Sequence, residues 1–206
     1  MLAPRKSLWS TPIEVIDKAI EQLSIKSNDI VYDIGAGDGR FLMRCVETTN
    51  VSQCIGINYY YYILRCDIII YIRINEIIGI EIDEERAMLA IESIKEKVEH
   101  IEQRCKMIIN NALNEDYLTG TAFFLYLVPR GLRLILQILQ NVANTKQITL
   151  RCVTYMSPFP DSDGIKLIEI NKISTSTHPD AKWPLYTYHI IPCDIKDNNN
   201  EKGQGI

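Results

Sequence analysis

The sequence predicts an α/β fold: a doubly wound, mostly parallel sheet with helices on both faces. Three observations lead there. A short apolar run, residues 30–34, passes through the glycine-rich turn Gly35-Ala36-Gly37-Asp38-Gly39 into a segment that reads as a helix from Arg40. Apolar runs then alternate with stretches of helical period as far as Tyr155. Finally, 166–172 and 185–191 read as two more strands, able to close the sheet as an antiparallel pair.

The elements follow in order. Ser10-Thr11-Pro12-Ile13-Glu14 is a helix start: Thr11 is placed as the N-cap, Pro12 at the first helical position and Glu14 three residues after the cap. Ile16, Ala19, Ile20 and Leu23 repeat at helical spacing and predict one buried face. Ser27-Asn28-Asp29 turns the chain into the first strand. After the glycine turn and its helix, the second strand is expected at 77–82, followed by a helix capped by Asp83 with the face Ala87, Ile91, Ile94, Val98 and Ile101. Residues 106–109 read as the third strand, with Asn110-Asn111-Ala112 at its end. Residues 122–128 read as the fourth, ending at Pro129, and Leu132, Ile135, Leu136 and Leu139 form the next helix face. Residues 147–155 read as the fifth strand and 157–164 as a loop. From Asp194 the chain is polar and is expected to be a disordered tail, leaving residues 1–192 as one domain and 193–206 outside it.

One stretch breaks this pattern. Ile55-Gly56-Ile57 recurs as Ile78-Gly79-Ile80, an offset of 23 residues (55 against 78). The sequence between the copies is rich in Ile and Tyr, unlike the rest of the chain. In a doubly wound fold the acidic residue that binds a ribose lies about 20 residues beyond the glycines. The natural candidate, Glu81, lies 44 residues beyond Gly37 (37 against 81), and removing one repeat unit leaves 21. Residues of about 55–77 therefore read as an insertion, either translated non-coding sequence or a β-rich arm. Arg65, Asp67 and Arg73 interrupt it, which argues against a membrane span.

Composition excludes several classes. At 206 residues the chain is long enough for one full α/β core, and its net charge of −4 supplies no general pull towards nucleic acid. The six cysteines form no C-x-x-C pair and the three histidines stand apart, so neither a metal site nor a disulfide framework is expected. Met1-Leu2-Ala3-Pro4-Arg5-Lys6 lacks the apolar stretch of a signal peptide.

The glycine turn differs from the dinucleotide fingerprint G-x-G-x-x-G. Here the spacing is Gly35-x-Gly37-x-Gly39 with Asp33 upstream, and Asp33 and Asp38 make the mouth acidic. That pattern resembles the first motif of class I S-adenosylmethionine-dependent methyltransferases, whose cofactor carries a sulfonium and an amino group. Further stretches match together: Thr11-Pro12 with Val15, Gly79-Ile80-Glu81-Ile82-Asp83-Glu84-Glu85-Arg86-Ala87, and Leu125-Tyr126-Leu127 with Pro129. The set resembles a small family of protein-lysine methyltransferases, with archaeal broad-specificity and eukaryotic mitochondrial members. The resemblance runs from Ser10 to about Pro192, apart from the insertion.

The resemblance implies a Rossmann-like, seven-stranded class I methyltransferase sheet, mostly parallel with one antiparallel strand, and S-adenosyl-L-methionine as cofactor. It places Asp33, Gly35, Gly37, Asp38 and Gly39 around the methionine part of the cofactor, Glu81 on the ribose hydroxyls and Ile82 against the adenine. Asn111 stands where many relatives carry Asp near the adenine amino group. Tyr126 and Pro129 fall in the methyl-transfer pocket, with Thr11 and Pro12 across its mouth. It implies in-line attack by a neutral lysine amine on the cofactor's methyl carbon, with no obligatory general base. The expected partner is a protein with an exposed lysine. The Asn/Asp-Pro-Pro-Tyr/Phe signature of nucleic-acid amino-methylating enzymes is missing after the fourth strand, so nucleic acid is not expected as a substrate. A monomer without stable membrane insertion is expected, cytoplasmic, with mitochondria the alternative the family suggests. Small-molecule methyl transfer, or an inert cofactor-binding protein disturbed by the insertion, remain the rival readings.

Overall fold

The computed structural model describes residues 10–57, 104–108, 112–114 and 116–193. Its centre is a seven-stranded sheet in the order β3-β2-β1-β4-β5-β7-β6. The strands are β1 (Ile30–Ile34), β2 (Gln53–Ile57), β3 (Cys105–Ile108), β4 (Ala122–Leu125), β5 (Leu150–Tyr155), β6 (Ile165–Thr175) and β7 (His178–Ile190). The first five pair in parallel, and β7 runs against both β5 and β6. This is the sheet the resemblance implied, with one strand reversed. The strand order changes direction between β1 and β4, the switch point where ligands of open α/β sheets bind beyond the carboxyl ends of the strands.

Alternation along β1 and β4 divides the core into two layers. Val31 and Phe124 join a cluster with helix α1 (Ile13–Leu23) and helix α2 (Arg40–Thr48). Ile34, Phe123 and Leu125 face helix α3 (Pro129–Lys146) on the other side. On the first face Phe41 of α2 stacks on Phe124 at a centroid distance of 4.4 Å. Burying one such ring is worth about 2–3 kcal/mol. The predicted faces of α1 and α3 are the buried ones, including Ile16, Ala19 and Leu23 and Leu132, Ile135, Leu136 and Leu139.

At the amino end of the sheet Asp29 ties three elements together. It pairs with the Arg151 guanidinium, which also donates to the Leu23 carbonyl at 2.6 Å and the Ser24 carbonyl at 2.7 Å. Thr121 Oγ1 donates to Asp29 at 2.8 Å. Burial alone would raise the Asp29 carboxyl; Arg151, the Lys26 amide and Thr121 outweigh it and hold it below its ordinary value.

Three expectations change. The N-cap of α1 is Pro12, not Thr11, and no side chain caps the helix. Glu14 makes no capping box; its Oε1 instead accepts from the Ser176 amide at 2.7 Å. The final hairpin is longer than the apolar runs suggested, because 173–184 continue the pairing through polar residues and a register shift between Ile173 and Thr175. Thirdly, the strand beside β1 is formed by Gln53–Ile57, the first copy of the repeat, with Asp33 opposite Gly56 and Ile34 opposite Ile57. The expected strand at 77–82 lies outside the described residues. Both copies offer the same Ile-Gly-Ile, and the first follows α2 after a connection of a few residues, so closing that short loop costs less chain entropy.

Outside the described residues also lie Glu81, Ile82, Asn111, the helix expected from Asp83, the insertion beyond Ile57 and the tail from Asp194. Among the described residues no helix is long and apolar enough to cross a membrane, and no group of three His, Cys, Asp or Glu could hold a metal ion.

Candidate functional site

The glycine turn sits at the switch point because β1 delivers it there. Gly35, Gly37 and Gly39 take positive φ of 99°, 55° and 74°, a region that side chains bearing a Cβ rarely adopt. Their surroundings differ. A Cβ on Gly35 would meet the Tyr126 carbonyl oxygen and Leu127 Cδ2, both at 3.3 Å, so the turn lies directly against the end of β4. A Cβ on Gly37 would meet nothing within 4 Å. Gly39 is the N-cap of α2, and its amide donates to the Ala36 carbonyl at 2.8 Å. The turn thus presents open backbone beside a helix N-terminus, where the orphan amides carry partial positive charge.

The acidic mouth resolves into two carboxylates with different roles. Asp38 is bound by Arg40, whose Nε lies 2.9 Å from Oδ1 and 3.0 Å from Oδ2. Arg40 Nη1 also donates to the Thr11 carbonyl at 3.3 Å, so this pair fastens the segment before α1 to the turn. Asp33 is 2% exposed, and no hydrogen-bond donor reaches its carboxylate among the described residues. Burial, and then the charge of Asp38, push its carboxyl well above the ordinary carboxylate range. A buried carboxyl without a partner is costly, and a cation placed beside it would relieve the cost.

Beyond the turn a cleft of about 140 Å³ opens at the carboxyl ends of β4 and β5. Tyr126 follows β4 into it, and Tyr155 and Met156 enter from the end of β5. Ser10 and Pro12 close it on one side, and Thr177, His178 and Trp183 of the hairpin on another. Tyr126 and Tyr155 have ring centroids 4.8 Å apart at 55°. Burial pushes both phenols up, Tyr155 to about 12 with a further contribution from Tyr126.

Of the residues the sequence singled out, Tyr126 and Pro12 line the cleft, Asp33 lies in β1 just before the turn, and Gly35, Gly37, Asp38 and Gly39 form the turn itself. Thr11 is buried and joined through its carbonyl to Arg40, beside the mouth rather than among the lining residues. Pro129 heads α3 and is not a lining residue. Tyr155, Met156, His178 and Trp183 were not anticipated. Tyr155 ends a predicted strand, which was the signal available; Trp183 lies in a polar stretch with none.

No family model matches the chain. A stretch of 47 residues is 36% identical to the protein-lysine N-methyltransferase of Saccharolobus islandicus (strain REY15A), covering 23% of this chain and 29% of that protein. The match therefore spans less than two thirds of the relative's length. Among solved structures, the RNA methyltransferase from Salinibacter ruber in complex with S-adenosyl-L-homocysteine is similar with a TM-score of 0.61 at 19% identity, over 93% of this chain and 99% of that one. The magnesium protoporphyrin IX methyltransferase from Synechocystis PCC 6803 with bound S-adenosylmethionine is similar with a TM-score of 0.53 at 10% identity, over 84% and 77% of the two chains. At these identities the likeness concerns architecture, and the chain has the class I methyltransferase fold.

Proposed function

We propose that this protein is an S-adenosylmethionine-dependent methyltransferase acting on the side-chain amine of lysine in protein substrates. The observation that carries the cofactor assignment is the turn itself. Gly37 leaves open space where any side chain would stand, and Asp33 is a buried carboxyl that no donor reaches among the described residues. A ligand with a compact cationic amino group fits both features. When bound there, S-adenosylmethionine supplies a methyl group made electrophilic by its sulfonium. Asp33 would pair with its amino group, and Gly35, Gly37 and Gly39 would let the backbone approach. From the sequence alone, Glu81 is proposed for the ribose hydroxyls, with Ile82 and Asn111 at the adenine.

The amine is proposed to enter the cleft beside Tyr126, with Pro12 at its mouth. A free lysine side chain has a pKa of about 10.4 and must lose its proton first. Desolvation between Tyr126, Tyr155 and Pro12 favours the neutral amine. Orientation in the cleft can contribute several kcal/mol without a dedicated base, about 7–11 kcal/mol at the upper limit for ideally placed groups. The lysine assignment is supported by the partial match to a lysine methyltransferase and by the motif set around Tyr126.

Titration calorimetry with S-adenosylmethionine tests the cofactor assignment, and transfer of labelled methyl groups to lysine-containing protein, transfer RNA and small amines tests the acceptor. Glu81→Ala is expected to weaken cofactor affinity about tenfold, the effect of losing hydrogen bonds to a charged group. Unchanged affinity removes Glu81 from the site.

A further inference from the structure

The cleft has a composition that methyl transfer alone does not dictate. Among the described residues its lining includes Tyr126, Tyr155 and Trp183, one imidazole, His178, and no Asp, Glu, Lys or Arg. Trp183 meets His178 edge-on at 6.1 Å and pairs with Ile173 in the hairpin. Two hydrogen bonds hold the hairpin in place: the Met156 amide donates to the Pro184 carbonyl at 2.9 Å, and the Ser176 amide to Glu14 at 2.7 Å. The hairpin that carries Trp183 is thus tied to the end of β5 and to α1.

An aromatic box without lysine, arginine or carboxylate among its described lining residues selects by chemistry. A phosphate or carboxylate entering it would lose water and meet only the His178 imidazole among the described polar groups able to carry positive charge. A nucleobase stacks in a parallel slot, whereas Tyr126 and Tyr155 meet as a wedge at 55°. An alkylamine meets neither obstacle: its methylene stem packs on the rings, and its ammonium head is attracted to their faces. A carboxylate in the wall would hold the ammonium more tightly but would resist its deprotonation. Aromatic faces capture the cation weakly and leave the proton free to go.

Resting on the lysine reading above, we propose that Trp183 is a specificity-determining residue, completing with Tyr126 and Tyr155 an aromatic cage for a single unbranched alkylamine chain. Its role is to hold and position the amine, not to exchange a proton with it.

The test uses the full chain and two variants, Trp183→Phe and Trp183→Leu, the second keeping apolar bulk but losing the π face. Tetramethylammonium chloride, titrated and followed by proton NMR, reads the cage without any methyl transfer. The expected result is that Trp183→Leu binds it about tenfold more weakly while Trp183→Phe stays within about threefold of the parent. With tritiated S-adenosylmethionine and poly-L-lysine, Trp183→Leu is expected to raise KM by a similar factor, with a smaller fall in kcat. Equal tetramethylammonium affinity in all three proteins would overturn the proposal, as would preferential labelling of transfer RNA over poly-L-lysine. Should Trp183→Leu fail to fold, Tyr155→Leu against Tyr155→Phe gives the same contrast from another aromatic lining residue. Absence of cofactor binding in calorimetry would defeat the wider reading and leave the tetramethylammonium result standing by itself, so the two failures are distinguishable.

Discussion

Asp33 shows how a single side chain can oppose stability and serve binding. Its carboxyl is raised by burial first and by Asp38 second. The unfolded chain releases this proton in the ordinary carboxylate range, and the folded chain at higher pH. Between those values the native state holds more protons, so stability falls as pH rises through that window. Asp33→Asn is expected to abolish this slope, because the amide cannot ionise and so carries no penalty for burying a charge as pH rises. It should also weaken S-adenosylmethionine binding. Urea denaturation across the weakly acidic to neutral range measures the first effect, and an unaltered slope in the variant would contradict it. Asp29 behaves oppositely, because Arg151 answers its charge. Arg151→Ala removes that partner and frees two carbonyls at the end of α1, with an expected loss of about 3 kcal/mol in the same measurement, in the range for breaking a buried pair.

Among the elements, β2 carries the main lesson about legibility. Apolar periodicity located α1, β1, β4, α3 and β5, since each buries one clear face or run. The glycine turn was legible because its positive-φ positions admit little else than glycine. The second strand was placed at 77–82 from the carboxylate that follows it, whereas the sheet takes the first copy at Gln53–Ile57. Two identical tripeptides cannot be ranked by propensity; only loop length and neighbours rank them. Trp183 and His178 were illegible for another reason: their strand pairs through backbone hydrogen bonds and shows no apolar alternation there. The repeat also makes a prediction. Removing residues 55–77 or residues 58–80 yields the same shortened sequence, in which Ile57 leads directly into the Glu81 carboxylate. Since Ile57 stands opposite Ile34, one residue from Gly35, that carboxylate would follow the strand tip beside the turn. The shortened chain is expected to bind S-adenosylmethionine about as tightly as the full chain by calorimetry, with Glu81→Ala weakening binding about tenfold in both, the scale of a charged hydrogen bond. Loss of binding in the shortened chain would mean that the sequence between the two copies is needed to bring Glu81 to the site.

At the scale of the molecule, the cleft is assembled from both ends of the chain. The segment around Pro12 and the hairpin around Trp183 are far apart in sequence, and Glu14 joins them through the Ser176 amide. Hydrogen bonding to Ser176 holds the Glu14 carboxyl below its ordinary value, so the tie persists to moderately acidic pH. Glu14→Ala is expected to raise the KM for poly-L-lysine while cofactor affinity stays unchanged. A parallel loss of both would mean that the variant disturbs the turn through α1 instead.

The close approach at Gly35 bears on how the two sites evolve together. Because the turn rests on the Tyr126 carbonyl, a methyl added at Gly35 would tilt the backbone that carries the first tyrosine of the cleft. The glycine turn proposed for the cofactor's methionine part and the tyrosine wall of the cleft are therefore mechanically coupled, and neither surface is free to be remodelled without the other registering the change.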